Sequence, residues 1–304
     1  MSTGSDPSDP DPAAAFQLLG DETRVAIVST LTERRRDAPE NPTLSFSELR
    51  HQVGAADSGR FNYHLNKLKG RFVEQTENGY TLTYPGEQMA AAIVSGAYST
   101  GVRFDPLELG HDCPFCAAPV TAKFEDGYVF VACENDHQLF SNGIPPGAAE
   151  GRSMETVLSI AVRKTFGAIL LATDGVCPSC YGTMSVNLRE LDMGEIWDEE
   201  VLSETLEEET LWQFVATCEG CGEQFNTPAG GIVLMHPAVV SFFWEHELDL
   251  TEEYPWLFEF IGDPRTTALV SEAPFRLRVD VELDGDHCRL TIDGEGQVVD
   301  VNLD

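Results

Sequence analysis

Three Cys-x-x-Cys pairs place most of the cysteines of this chain at the spacing that metal knuckles use. The pairs are Cys113–Cys116, Cys177–Cys180 and Cys218–Cys221, and only Cys133 and Cys288 lie outside them. Each pair presents two thiolates on one tight turn, and two such turns brought together provide the four ligands of a tetrahedral Zn²⁺. The spacing therefore predicts a fold that is held in part by two structural zinc ions, because zinc binding supplies folding free energy.

The first predicted zinc site combines three cysteines with one histidine. A hairpin turn at Asp126-Gly127 brings the second half of the site back to the first knuckle. Because Cys-x-x-x-His is a looser spacing than Cys-x-x-Cys, His111 remains an alternative to His137 as the fourth ligand. The predicted ligands are Cys113, Cys116, Cys133 and His137.

The second predicted site is a zinc ribbon with four cysteine ligands. Strand-like sequence follows each knuckle, and 37 residues separate Cys180 from Cys218. The middle of that gap, residues 195–209, is strongly acidic and reads as a solvated insertion. A redox dithiol is the alternative, but thioredoxin-like motifs come singly in a βαβ setting. The predicted ligands are Cys177, Cys180, Cys218 and Cys221.

Residues 58–69 form a short amphipathic helix near the start of the chain. Phe61, Leu65 and Leu68 recur at helical spacing, so one face is buried. Asp57 or Ser58 is a natural N-cap. The opposite face carries long side chains that donate hydrogen bonds and can contact bases or phosphates. The residues predicted to bind DNA, including one at the tip of the following hairpin, are Ser58, Arg60, Asn62, Tyr63, Asn66, Lys67, Lys69 and Asn78.

The elements around this helix predict a winged helix-turn-helix. Residues 46–53 form another amphipathic helix, and Gly54-Ala55-Ala56 supplies the turn between the two. Two β-prone runs, 71–76 and 80–84, follow on either side of Asn78-Gly79, which predicts a hairpin in the position of a wing.

At these residues the sequence resembles the ArsR-type winged helix regulators. The resemblance lies in Leu19–Ile27, Asn62–Leu68 and Phe72-Val73-Glu74, and covers about the first third of the chain. It implies a dimeric, DNA-binding transcriptional regulator, with a helix near 86–98 that pairs the subunits or packs on its own domain. Metal-sensing members carry cysteines in the helix before the turn, and residues 49–53 contain none.

The charge of the chain is very unevenly distributed. The formal net charge is −32, yet residues 1–104 hold 10 basic and 13 acidic residues, and residues 105–304 hold 9 and 38. Residues 50–71 contain five basic residues and one acidic residue, Asp57. An acidic excess of this size is typical of proteins that stay soluble at very high salt, so we expect a halophilic source.

No targeting signal is expected at the start of the chain. The first residues are acidic and Pro-rich rather than basic and then apolar, and no apolar run is long enough to suggest a membrane span. We therefore expect a cytoplasmic protein with reduced cysteines and no membrane partner.

The fold class expected is α+β: an N-terminal winged helix-turn-helix, then zinc-knuckle and zinc-ribbon modules joined by a helix, with a C-terminal helix and β-hairpin. The predicted segments are a disordered tail at 1–10, the winged helix domain at 11–104, the Cys₃His module at 105–150, and the bridging helix, ribbon and C-terminal elements at 151–304. The aromatic runs at 242–244 and 256–258 are most simply core, with an effector pocket or a dimer surface as the alternatives.

Two functions are compatible with these features. The first is a sequence-specific, homodimeric transcriptional regulator that binds double-stranded DNA and carries structural zinc in an acidic regulatory region. The second is a protein-interaction adaptor whose acidic half binds a basic partner such as the transcription machinery. The chain has no nucleophile elbow, phosphate loop or His-Glu-x-x-His motif, so we do not expect an enzyme.

Overall fold

A computed structural model describes residues 12–97, 103–191 and 210–303. The chain separates into two units, Met1–Thr100 and Gly101–Asp304. The predicted tail at 1–10 and the whole of the predicted acidic insertion at 195–209 lie outside the described residues.

The first unit is helical, with one β-hairpin. Its two strands pair antiparallel, and Leu44 forms a backbone bridge with Tyr80 that adds a third short strand. The arrangement is consistent with a winged helix. Its elements are α1 Pro12–Leu19, α2 Glu22–Asp37, α3 Phe46–Gln52, α4 Ser58–Leu68, β1 Val73–Thr76, β2 Gly79–Leu82 and α5 Tyr84–Val94.

Side-chain caps set where three of these helices begin. The Asp21 carboxylate accepts from the first backbone N–H groups of α2, and Asp57 does the same for α4. Ser45 and Glu48 form a reciprocal capping box at α3. Such caps satisfy donors that have no partner within the helix and typically contribute about 1 kcal/mol each.

Helix α5 ends at Val94, earlier than the helical stretch expected to reach residue 98. Gly86 and Ala90 are buried on its inner side, and Arg35 of α2 forms an ion pair of 2.8 Å with Glu87. A Cβ at Gly86 would lie 2.1 Å from the carbonyl oxygen of Phe72, so only glycine permits this close approach. Within its own unit α5 therefore packs against α2 and the wing.

The second unit is built from three antiparallel sheets and a long helix. The first sheet and the ribbon sheet carry the cysteine pairs, and α7 lies between them in the chain. The elements up to the ribbon are β3 Leu107–Asp112, β4 Pro119–Glu125, β5 Tyr128–Cys133, β6 Gln138–Gly143, α6 Pro146–Ala149, α7 Met154–Thr173, β7 Met184–Leu191, β8 Leu211–Cys218 and β9 Gln224–Pro228.

The C-terminal part adds short helices and a four-stranded meander. Two 3₁₀ turns, Pro255–Leu257 and Pro264–Thr266, lead into the meander. The remaining elements are α8 Ala229–Val233, α9 Pro237–Glu245, α10 Glu259–Gly262, β10 Thr267–Glu272, β11 Phe275–Leu283, β12 Asp286–Ile292 and β13 Val298–Leu303. The predicted hairpin is thus the centre of a larger sheet, order β10-β11-β12-β13.

One hydrophobic core joins all of these sheets. It runs from Val120 of the first sheet through α7 to Phe214 of the ribbon and Leu290 of the meander. The segments expected as separate modules, 105–150 and 151–304, therefore share buried side chains. The predicted α+β class is confirmed, and the shared core is what positions both cysteine clusters.

Helix α7 is long and apolar enough to cross a membrane by length and composition alone. No apolar run of the sequence was expected to reach this length, and the helix carries Arg163 and Lys164 in its middle. Val157, Leu158 and Ala161 of this helix are fully buried in the core of the unit. Core helices pass the same test of length and composition.

Candidate metal centres and nucleic-acid interface

The first metal cluster forms where β3, β5 and their following turns meet. The backbone N–H of Ala117 donates to the carbonyl of Cys113 at 2.9 Å, which closes the Cys113–Cys116 turn into a knuckle. Cys133 ends β5, and His137 follows after the turn. One ligand atom from each of the four residues lies within 4.8 Å of the others.

The spacing inside this cluster matches a tetrahedral zinc ion. With Zn–S near 2.3 Å and Zn–N near 2.0–2.1 Å, tetrahedral geometry places two sulfurs about 3.8 Å apart and a sulfur and nitrogen about 3.6 Å apart. Cys116 and Cys133 Sγ are 3.7 Å apart, and Cys113 Sγ is 3.4 Å from His137 Nδ1. A disulfide would bring two sulfurs to about 2.05 Å.

The fourth ligand position is occupied by His137 rather than His111. The His111 ring lies outside the cluster, where its Nε2 accepts a hydrogen bond from Trp256 Nε1 at 3.3 Å. Its ring also contacts Tyr254, at 5.9 Å between centroids. The alternative ligand therefore belongs to an aromatic cluster of the core.

Burial prepares the side chains of this cluster for a metal. Burial lowers the pKa of His137, so the ring stays neutral, which is the form that coordinates metal. Burial raises the pKa of the Cys113 thiol to about 12. A buried thiolate lacks the stabilisation of water, and a divalent cation supplies the opposite charge that this site needs.

The second cluster is assembled at one end of the ribbon sheet. Cys177 and Cys221 Sγ are 3.7 Å apart, and Cys180 and Cys218 Sγ are 3.5 Å apart, again the separations of a tetrahedral zinc site. Backbone N–H groups of Gly220 and Cys221 donate to the Cys218 sulfur. These hydrogen bonds, of which the one from Cys221 contributes more, lower the pKa of Cys218 to about 6, so this thiol ionises readily.

The two clusters differ in exposure. Cys177 and Cys218 are buried, but Cys180 and Cys221 are exposed, so one side of the ribbon site faces water. Among the described residues the strands beside it are antiparallel, β7-β8-β9, which differs from the βαβ setting of a redox dithiol. The prediction of two zinc sites, one Cys₃His and one Cys₄, is confirmed by the two four-ligand clusters.

All eight residues expected to contact DNA are exposed. The inner side of α4 holds Phe61, Leu65 and Leu68, each at most 1% exposed. Asn78 lies in the turn between β1 and β2. The exposed residues are Ser58, Arg60, Asn62, Tyr63, Asn66, Lys67, Lys69 and Asn78.

Two lysines of this face are held by neighbouring side chains. Lys67 Nζ lies over the Tyr63 ring at 5.5 Å from its centroid. Lys69 Nζ donates to Gln75 Oε1 at 2.7 Å and lies 5.9 Å from the Tyr80 ring centroid. Because Gln75 and Tyr80 belong to the two wing strands, Lys69 links the helix to the wing.

The contact between α4 and the start of α2 was not expected from the sequence. His64 is 6% exposed, and its Nδ1 lies 3.2 Å from Asp21 Oδ1. Burial opposes ionisation of Asp21, but the backbone N–H of Arg24 and the His64 ring outweigh it and lower the pKa of that carboxyl. His64 follows Phe61 by three residues, and this helical spacing is the sequence signal that places it on the buried side.

Comparisons with known proteins extend over both units. Residues 12–93 match a family described as Domain of unknown function (DUF7347), and residues 110–298 match Domain of unknown function (DUF7351). No curated protein and no solved structure matches the chain significantly. The second of the two family matches covers more than half of the chain and includes both zinc clusters, and the chain therefore belongs to the DUF7351 family.

Proposed function

We propose that the protein is a sequence-specific DNA-binding transcriptional regulator of the winged helix type that ArsR-like proteins represent. The observation that carries this proposal is the division of α4 into two faces. Its apolar side chains are buried together with His64, and its other hydrogen-bonding side chains are exposed: Ser58, Arg60, Asn62, Tyr63, Asn66 and Lys67. In a helix that follows a short turn and precedes a β-hairpin, side chains of these types on the exposed face favour contacts with DNA.

The residue types on α4 fit base readout in a major groove. Arg60 has the planar fork that binds guanine O6 and N7, and Asn62 and Asn66 have the amide that binds adenine N6 and N7. Ser58 and Lys67 suit phosphate contacts, and Asn78 at the wing tip lies where a wing meets the backbone or minor groove.

High salt makes these base contacts more important than phosphate contacts. The driving force from counterion release falls as salt rises, so a protein adapted to molar salt depends more on hydrogen bonds to base edges. The acidic excess is concentrated after residue 104, where the chain contains 38 acidic and 9 basic residues. The local basic surplus between residues 50 and 71 coincides with α4 and the wing.

The regulator is proposed to act as a homodimer in the cytoplasm of a halophilic cell. A dimer of winged helices binds two half-sites about 34 Å apart, one turn of the duplex. Phe16 of α1 and Val94 of α5 are 63% and 69% exposed, and apolar side chains of this size are suited to a subunit contact. A DNA footprint tests the spacing of the two half-sites, and the mass in solution tests the homodimer.

The second unit is proposed to have a structural and regulatory role rather than an enzymatic one. Each metal cluster already offers four protein ligands, which leaves no open coordination position for a substrate or an activated water. Zinc there would stabilise the fold that presents the acidic surface to partners.

The test is selection of bound fragments from genomic DNA in molar KCl, followed by affinity measurements on the preferred fragment. Arg60→Ala combined with Asn62→Ala should cost about 2–6 kcal/mol of binding, or at least about thirtyfold in Kd, because each bidentate base contact contributes about 1–3 kcal/mol. The melting temperature should stay unchanged, since both side chains are exposed. Operator affinity that survives the double substitution would refute the assignment.

The matched control is Arg36→Ala combined with Gln88→Ala. It removes one guanidinium and one amide from exposed positions of the same unit, and Arg36 contacts only its neighbour Asp37 among the contacts described. We expect this control to bind as tightly as the unaltered protein. Equal losses in both variants would indicate a charge effect rather than base readout.

The alternative function is a protein-interaction adaptor. The observation that favours it is the acidic charge of residues 105–304, which would attract a basic partner such as a component of the transcription machinery. Fragment selection separates the two functions, because an adaptor would enrich no fragment over bulk DNA.

A further inference from the structure

The last strand of the meander, β13, forms an open edge of its sheet. Among the described strands it pairs with β12, and the order β10-β11-β12-β13 leaves the other side of its backbone without a strand. Residues 299–303 are all exposed, so no described element covers that side. An edge of this kind presents backbone N–H and C=O groups with which another strand can pair.

Apolar side chains of β13 continue the buried face of the sheet. The register places Val301 opposite Leu290 and Leu303 opposite Cys288, and opposite residues of an antiparallel pair point to the same face. Leu290 and Cys288 are fully buried, whereas Val301 and Leu303 are 37% and 60% exposed. Val299 belongs to the same face by the alternation of a strand and is 46% exposed. The apolar face of the sheet therefore extends one strand beyond the buried core.

This edge lacks the features that usually prevent strands from pairing. Proteins protect edges with lysine, proline or a bulge within the strand. The opposite edge of the same sheet has such a bulge, because the register of β10 with β11 shifts between Leu269 and Ser271. In β13 the shift lies at its start, the pairing with β12 is regular from Asp300 to Leu303, and residues 299–303 contain neither lysine nor proline.

The sequence of β13 is complementary to a second copy of itself. A two-fold axis between antiparallel edge strands places one residue opposite its own copy. With the axis at Val301, Val299 lies opposite the second copy's Leu303, and Asp300 lies opposite the second copy's Asn302. Apolar side chains then meet on the buried face, and no like charges are opposed.

The neighbouring registers are less favourable. With the axis at Asp300, two carboxylates would lie directly opposite each other, which destabilises strand pairing. With the axis at Asn302, Val299 would lie opposite a position beyond Leu303, where β13 ends. A shift by one residue would also move the apolar side chains against different neighbours, so the register is specified by this short stretch.

Salt decides whether two such acidic chains can approach each other. The formal net charge of −32 opposes self-association at low ionic strength. In molar salt the Debye length is about 3 Å, so repulsion between charges that are not in contact is screened. The hydrophobic contact on the buried face does not depend on charge and persists.

We propose that β13 pairs with β13 of a second copy of this chain, so that the two meanders join into one continuous sheet with its two-fold axis at Val301. Val299, Val301 and Leu303 of both copies form the apolar contact. The interface lies in the second unit and does not rest on DNA binding, because it forms whether or not the first units contact each other.

The test is covalent trapping at the axis, with the full-length, zinc-loaded protein in molar KCl. Val301→Cys places two sulfurs across the axis, because opposite residues of an antiparallel pair have Cα atoms about 4.5–5.5 Å apart, a distance that a disulfide spans. Under mild oxidation with oxidised glutathione, most Val301→Cys chains should migrate as a covalent dimer on a non-reducing gel. The unaltered protein gives the background from its exposed Cys180 and Cys221.

Asp300→Cys is the matched control, because Asp300 is exposed in the same strand but is not opposite itself in this register. The two Asp300 positions are diagonal neighbours about 7–8 Å apart, so trapping should be at least about tenfold weaker than at Val301. If Val301→Cys fails to fold, the double variant Val299→Cys, Leu303→Cys should link at both of its opposed positions. A folded Val301→Cys protein that yields only background dimer would leave this edge to a strand of another protein and overturn the proposal, and so would equal trapping by Asp300→Cys.

Discussion

The different exposure of the two zinc clusters predicts that they release metal at very different rates. In the first cluster Cys113, Cys133 and His137 are 3%, 5% and 1% exposed. In the second, Cys180 and Cys221 face water. A chelator can therefore displace the ligands of the ribbon site stepwise, whereas the first site must open before a chelator can reach its metal.

The cost of that opening can be worked from the side chains around the first cluster. Separating β4 from β5 near the metal exposes Val120 and Val131, which are 1% and 0% exposed. Burying a valine contributes about 1.5–3 kcal/mol, so exposing two costs about 3–6 kcal/mol. The first zinc should then leave at least about a hundredfold more slowly than the second.

The assay mixes zinc-loaded protein with an excess of a chromogenic chelator such as pyridylazoresorcinol and follows metal release. We expect two phases of equal amplitude, one zinc ion each. Cys221→Ser should abolish the fast phase and leave the slow phase, because it removes one exposed ligand of the ribbon site. Cys288→Ala is the control that keeps both phases, since Cys288 is buried and belongs to neither cluster.

Release in a single phase would refute the link between ligand exposure and zinc lability. Loss of the slow phase in Cys221→Ser would refute the assignment of the fast phase to the ribbon. Both outcomes are readable without any DNA or ligand, so this prediction does not depend on the proposed function.

Two further predictions concern the first unit. A Cβ at Gly79 would lie 2.4 Å from the carbonyl oxygen of Leu44, and the backbone φ there is +135°, so Gly79→Ala should lower the free energy of unfolding by more than about 2 kcal/mol. Gly54 has φ +75° and no atom within 4 Å of an added Cβ, so Gly54→Ala is the control and should lower it by only about 1 kcal/mol. Both values are measured by denaturant titration. The pKa of Asp21 is lower in the folded state than in the unfolded state, so its negative charge stabilises the fold. This stabilisation is complete above the unfolded-state pKa of Asp21 and is lost as pH falls through its folded-state pKa. Asp21→Asn keeps an N-cap and removes the charge, so its melting temperature should be lower than that of the unaltered protein at neutral pH. The difference should shrink as pH falls through the folded-state pKa of Asp21, and a constant difference would contradict the linkage.

Local sequence determined α4 and the knuckles. The 3.6-residue spacing of Phe61, Leu65 and Leu68 specifies which face of α4 is buried, and Asp57 specifies where the helix starts. Cys-x-x-Cys specifies a turn with two ligands because the backbone geometry needed for that turn is local. These features depend on interactions over a few residues, which is why periodicity and spacing are sufficient to find them.

Other features depended on contacts between residues far apart in the chain. His111 lies two residues before Cys113 and His137 lies four residues after Cys133, so both were candidates for the fourth ligand. The folded chain brings His137 into the cluster, whereas His111 contacts Trp256 instead. Strand β10 is short and partly exposed, so it lacks an alternating pattern and is defined by its pairing with β11.

The sequence by itself therefore predicted the winged helix pattern, the exposed polar face of α4 and the eight zinc ligands, with His111 left as an alternative to His137, since each depends on short-range spacing. The tertiary structure alone decided that both zinc clusters share one core and that Val301 and Leu303 lie beside the buried Leu290 and Cys288 at the open edge of the meander. The physical reason is that long-range packing and strand register bring together side chains whose separation in the chain carries no local signal.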